Sequence, residues 1–139
     1  MQISRSALDQ VVAHALRDAP DECCGVLGVR DGVVRTVHEL ENALQGPKVF
    51  GFELSPQDLL RVHNAIEDAG DDLGVIYHSH TRSAPYPSQT DVNFAAFWPG
   101  VEWLIVGTKG DEPEVRSYLI GADGTIDEVA VTVTDDAVA

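Results

Sequence analysis

Long apolar runs are missing from this chain of 139 residues, and none approaches the ~18 that a membrane-spanning helix requires. The N-terminus carries no basic segment followed by an apolar one, so a secretory signal is not expected and the protein is read as cytoplasmic. Cysteine is nearly absent. The two that occur, Cys23 and Cys24, are adjacent, and neighbours in one strand point to opposite faces. A mutual disulfide is therefore not expected, and reduced thiols suit the cytoplasm. Positive charge is scarce: 9 Lys and Arg stand against 23 Asp and Glu, for a net charge of −14. That excludes the basic surface a nucleic-acid partner demands. The acids are spread along the chain, which points to solubility more than to steering of a basic partner. Aromatics are few at 6%, but an apolar content of 44% is ordinary for a globular core. The length suits one domain over residues 1–139, burying roughly two-thirds of its unfolded surface. Homodimer formation is left open.

What is present alternates between the two secondary-structure periods. Residues 1–3 read as a short strand, and Ser4 or Ser6 caps a helix to about Asp18, with Leu8, Val11, Val12, Ala15 and Leu16 at helical spacing. Residues 22–29 read as a buried strand, Asp31-Gly32 as a tight turn, and residues 33–40 as the returning strand. A loop over 41–48 leads to an expected strand at 49–54. Ser55-Pro56-Gln57-Asp58 then starts a helix that Gly70 ends. Residues 73–77 form a continuous apolar strand, 88–97 a short helix, and 102–108, 114–120 and 125–133 further strands. The tail over 134–139 is expected to fray. The order implies an α/β domain with a single mixed β-sheet flanked by helices. His14, His38 and His63 lie inside elements without a ligand pattern and read as packing or surface residues.

The chemistry concentrates between Tyr77 and Asp91. His78 and His80 are two apart at a strand end, so both imidazoles share one face while Ser79 points away. Ser88 and Asp91 stand three apart at a helix start, where hydroxyl and carboxylate approach the same point. Each half alone has a bland reading, as strand-end decoration or as a metal-free capping box. Together, across a linker stiffened by Pro85 and Pro87, His78, His80 and Asp91 supply the three ligands of a catalytic zinc, with the fourth position left for water. One zinc per chain is expected.

The spacing His78-x-His80, seven residues, then Ser88-x-x-Asp91 resembles the motif of the JAMM (MPN+) metalloproteases. Their second motif, a glutamate before Cys-Gly and an apolar strand, is similar to Asp21-Glu22-Cys23-Cys24-Gly25-Val26-Leu27-Gly28. The resemblance covers nearly the whole chain. Within the family, residues 76–81, Tyr86-Pro87-Ser88 and residues 114–118 look like the prokaryotic branch of CysO-cysteine peptidases, which release cysteine from a ubiquitin-like sulfur carrier. Thr81 departs from the proline that commonly follows the second histidine in deubiquitinating members.

The resemblance implies the JAMM/MPN fold, similar to that of cytidine deaminases, and hydrolysis of the amide after the C-terminal Gly-Gly of a ubiquitin-like sulfur-carrier protein, with cysteine released. It implies that Glu22 is the general base, bonded to the zinc-bound water, and that Ser88 donates to the developing oxyanion. Ser79 would buttress the site from the other strand face. Strand addition at residues 49–53 is one route for the carrier's tail; Phe97 and Trp103 are read as core rather than groove. Competing readings are an isopeptidase that removes ubiquitin-like modifiers from protein lysines, a non-haem iron facial triad, and a non-catalytic MPN scaffold. The complete Glu22 motif argues against the iron reading, and the complete ligand set against the scaffold.

Overall fold

A computed structural model describes residues 1–136. In chain order the elements are β1 (Gln2–Ser4), α1 (Arg5–Asp18), β2 (Cys24–Arg30), β3 (Val33–Leu40), α2 (Pro56–Asp68), β4 (Asp72–His80), α3 (Gln89–Ala95), β5 (Glu102–Gly107), β6 (Glu114–Ile120), β7 (Ile126–Val129) and β8 (Thr132–Thr134). The eight strands form one sheet in the order β7-β6-β5-β4-β2-β3-β1-β8. It is mixed: β4 runs parallel to β5, and β1 parallel to β3 and β8, while the other pairs are antiparallel.

Local chemistry explains the main boundaries. Ser4 and Ser55 accept the backbone N–H of Ala7 and Asp58, so both long helices start on a side-chain cap. Pro56 occupies the first turn of α2, where its missing N–H has no partner to lose. Between β2 and β3, Asp31 and Gly32 have φ of 53° and 77°. A two-residue turn with both centres left-handed matches the twist of an antiparallel hairpin.

The sheet separates two apolar layers. On one face α1 packs Leu8, Val11 and Ala15 against Cys23, Leu27, Val75, Tyr77 and Leu104. On the other, α2 and α3 cover Cys24, Val26, Ile76, Trp103 and Ile105. The alternation is direct: Cys23 and Cys24 fall in opposite layers, as do Ile76 and Tyr77. Central strand β4 is buried on both faces from Val75 onward, which is why it reads as a continuous apolar run.

Three expectations need correction. Residues 49–54 form no strand. Their backbone bonds go to a loop instead, with Glu53 O accepting from Ala43 and Gly51 O from the Asn42 side chain. The expected strand over 125–133 breaks at Ala130, and β8 crosses to the far edge to pair with β1. Phe97 is not core: α3 ends at Ala95, leaving that ring 78% exposed, whereas Trp103 is fully buried. The expected fraying of 134–139 meets β8 at Thr134, and residues 137–139 lie outside those described.

Gly25 marks a close approach in the centre of the sheet. A Cβ there would overlap the Tyr77 ring at its Cε2, Cζ and Oη atoms. Tyr77 in turn is pinned by a 2.7 Å hydrogen bond to Nδ1 of the buried His14. Gly25→Ala is expected to destabilise the protein by about 1–3 kcal/mol or more, through overpacking with no free rotamer to absorb it. Urea unfolding reads this as a lowered midpoint; an unchanged midpoint means the ring is not held over Gly25.

Candidate metal and active site

The end of β4 delivers two imidazoles to one face and a hydroxyl to the other. His78 and His80 are buried beside the α3 layer, and Ser79 between them is fully buried on the opposite side. Ser79 Oγ accepts the Cys23 N–H at 2.8 Å, and the Ser79 N–H donates to Cys23 O at 3.2 Å. These bonds tie the residue after Glu22 to the strand carrying the histidines, so Glu22 is brought to the same mouth. Its backbone N–H is held by Lys48 O at 2.8 Å.

Helix α3 supplies the carboxylate. Ser88 Oγ accepts the Asp91 N–H at 3.1 Å, and the Ser88 N–H donates to Asp91 Oδ2 at 2.9 Å, a complete capping box. The same Oδ2 lies 3.2 Å from Nε2 of His78 and 3.2 Å from Nε2 of His80, while the two nitrogens are 3.1 Å apart. Three donor atoms thus form a nearly equilateral triangle. Ligands at the usual zinc distances of about 2.0–2.1 Å in a tetrahedron are about 3.3 Å from one another. Tautomer chemistry agrees: His80 Nδ1 lies 2.9 Å from Ala84 O and donates to it, which leaves the Nε2 lone pair facing the triangle. His78 is oriented by a stacked Phe52 ring at 4.5 Å. A carboxylate oxygen of Glu22 approaches within 4.8 Å of both histidines. These residues fit one metal ion.

The local field favours a cation. Burial works to raise the Asp91 carboxyl, but His78, His80 and the Ser88 N–H overcome it and hold the group ionised, well below the usual carboxylate range. Burial also works against charge on His80, yet Asp91, the Ala84 carbonyl and Glu22 raise its pKa above the ordinary value. Glu22 behaves differently. Burial pushes its pKa up to about 7, opposed by His80 and reinforced by Asp91. The thiols do not compete for this chemistry, because burial pushes Cys23 and Cys24 up to about 12.

Comparison with known proteins agrees with this geometry. Residues 4–121 match the family described as prokaryotic homologs of the JAB domain. The chain belongs to this family. It is 39% identical over 136 residues to the CysO-cysteine peptidase of Mycobacterium tuberculosis, covering 96% of this chain and 90% of that protein. It is also 39% identical over 117 residues to the desampylase of Haloferax volcanii, covering 79% of this chain and 82% of the relative. A protein of Desulfitobacterium hafniense solved in solution superposes with a TM-score of 0.85 at 29% identity, covering 97% of this chain and 93% of that one. The JAMM resemblance of the two motifs is thereby borne out, as is the JAMM/MPN fold with its mixed sheet.

In this JAB-domain protein the triangle opens into a cavity of about 500 Å³ lined by Glu22, His80, Ser88 and Asp91 on one side and by Val49–Glu53, Arg82 and Phe94 on the others. A larger hollow of about 670 Å³ at the other end of the sheet contains no histidine or cysteine. Sequence reasoning brought together Glu22, His78, His80, Ser88 and Asp91 and placed His14, His38 and His63 elsewhere, as found. It missed Asn42, which is buried and uses both ends of its amide. Its Nδ2 donates to Glu22 O and Gly51 O, both at 2.9 Å, and its Oδ1 accepts from Leu44 N at 3.1 Å and Glu53 N at 3.2 Å. One side chain therefore holds the Glu22 backbone and the cavity wall together. No spacing rule flags a single loop asparagine. Asn42→Ala leaves four backbone groups without that partner and is expected to lower stability by roughly 1–3 kcal/mol. Hydrogen exchange should quicken at the Leu44 and Glu53 amides; unchanged protection there would mean Asn42 does not hold the wall.

Proposed function

We propose that this chain is a zinc peptidase that hydrolyses the amide after the C-terminal Gly-Gly of a ubiquitin-like sulfur-carrier protein and releases cysteine. The observation that carries the reading is the triangle of His78 Nε2, His80 Nε2 and Asp91 Oδ2, with Glu22 beside it and a cavity before it. The similarity to the mycobacterial CysO-cysteine peptidase over 96% of this chain supports the substrate class. Residues 1–139 would act as one unit, and homodimer formation is not required, because every named group comes from one chain. Among the described residues no helix is long and apolar enough to cross a membrane, which accords with action on a cytoplasmic carrier.

His78, His80 and Asp91 would hold the ion, which when bound supplies Lewis acidity and a water whose pKa is brought toward ~7. Glu22 takes a proton at its carboxylate and returns it to the leaving amine. Its burial and its nearness to both histidines suit it to that transfer. The Ser88 oxygen already accepts from the Asp91 N–H, so its own O–H is free to donate into the cavity toward the carbonyl oxygen as charge grows there. His80 keeps its proton on Nδ1 through Ala84 O and does not share in the transfer. Asn42 keeps Glu22 in place through its backbone.

The 39% identity to the Haloferax volcanii desampylase favours a second reading on the same machinery, removal of a ubiquitin-like modifier from protein lysines.

Purified protein is expected to hold about one zinc per chain, and His78→Ala or Asp91→Ala to lose most of it by metal analysis. Full occupancy in both variants would overturn the ligand set. Glu22→Gln is expected to keep metal and fold while losing roughly 10²–10⁴ in rate; equal loss of metal would make Glu22 a ligand instead. For the substrate, a carrier–cysteine adduct and a carrier–lysine conjugate are followed by mass, with and without chelator. Chelator-sensitive conversion of the first and little of the second is expected. Faster turnover of the lysine conjugate would establish the second reading.

A further inference from the structure

Arg82 stands two residues beyond His80 and lines the cavity that holds Glu22, Ser88 and Asp91. It is the one Lys or Arg among the lining residues, and the same walls carry the carboxylates of Glu22, Glu53 and Asp91. Its guanidinium carbon lies 5.4 Å from the centroid of the Phe50 ring, which closes the cavity from the facing loop and is itself 72% exposed. Arg17, Arg30, Arg61 and Arg116 pair with carboxylates, whereas Arg5, Arg35 and Arg82 do not among the described residues; of these three only Arg82 lines the cavity. Its guanidinium sits over an aromatic ring, a contact that uses none of its N–H donors in a hydrogen bond.

We propose that Arg82 receives the α-carboxylate of the amino acid released from the carrier, and so distinguishes a C-terminal amino-acid adduct from a lysine isopeptide. The inference rests on the peptidase reading above. In a carrier–cysteine adduct, only one carbon separates the scissile nitrogen from the free carboxylate. Wherever the scissile bond enters, that anion enters with it. Arg82 is the one Lys or Arg among the lining residues, and guanidinium pairs with carboxylate through two parallel N–H donors. A lysine conjugate presents its scissile nitrogen at the end of four methylenes and brings no carboxylate to this point. Phe50 limits the rotamers of Arg82 before substrate arrives, which reduces the entropy lost on pairing.

Three substrates separate the possibilities: the carrier–cysteine adduct, the same adduct as its cysteinamide, and a carrier–Nε-lysine conjugate. Steady-state rates are measured for the wild-type zinc protein, Arg82→Gln and Arg82→Lys. The wild type is expected to favour the free acid over the amide by roughly 10- to 100-fold in kcat/KM, the range of one charge-assisted contact. Arg82→Gln should bring that ratio toward one, and Arg82→Lys should retain part of it. Equal turnover of acid and amide by the wild type, or equal slowing of both by Arg82→Gln, overturns the assignment and leaves the peptidase reading intact. Cleavage of the lysine conjugate with neither C-terminal adduct cleaved overturns both.

Discussion

Three lone-pair atoms aimed at one buried point repel each other unless a cation joins them. The architecture around His78, His80 and Asp91 is organised to hold that arrangement. Asp91 Oδ2 takes part in two structures at once: it closes the capping box of α3 through the Ser88 N–H and faces both imidazoles. The acceptor of the capping box and the proposed metal ligand are therefore the same atom, so the two readings of Ser88-x-x-Asp91 do not exclude each other. A helix start is a suitable place for that atom, since its orphan N–H groups favour the ionised carboxylate before any metal binds.

Holding the histidines falls to the opposite face of the same strand. Ser79 bonds to the backbone of Cys23, and Tyr77 is locked over Gly25 and onto His14. Because side chains alternate, every contact that fixes Tyr77 and Ser79 in the α1 layer also fixes His78 and His80 in the other. The α1 layer contributes no atom to the site, yet it sets the site's precision. Antiparallel pairing of Cys24 with His78 places Glu22 just before the start of β2, where the chain enters the sheet and the carboxylate can turn toward the cavity. A carboxylate inside the strand would be locked in one layer; two residues before it, Glu22 is buried but still reaches the mouth.

How much was legible follows from how local each signal is. The helices, the Asp31-Gly32 hairpin and β4 are written in caps, turn residues and periodicity, each within a few positions. The convergence of His78, His80 and Asp91 was legible because strand and helix geometry converts two short spacings into shared faces. The cavity wall at 49–53 was not, because its alternation of apolar residues mimics a strand while its backbone partners are the side chain of Asn42 and the loop residues Ala43 and Pro47. A side chain that replaces a ladder leaves no period. The departure of β8 to the far edge was illegible for a similar reason. It depends on an open edge at β1, set by parallel pairing between segments more than a hundred residues apart.

The scarcity of positive charge acquires a second meaning once the cavity is in view. Acidic groups spread over the surface keep the chain soluble and carry no address. Inside the cavity the balance has to be struck group by group: Asp91 against the imidazoles and the ion, Glu22 by burial that keeps its proton near at hand, and Glu53 near the rim. A substrate bringing another carboxylate would upset that balance unless its counter-charge were already in place. Arg82, seated over Phe50, is the one Lys or Arg among the residues lining the cavity. In so acidic a chain, the role proposed for Arg82 needs no second basic residue in the cavity, because one guanidinium matches one carboxylate.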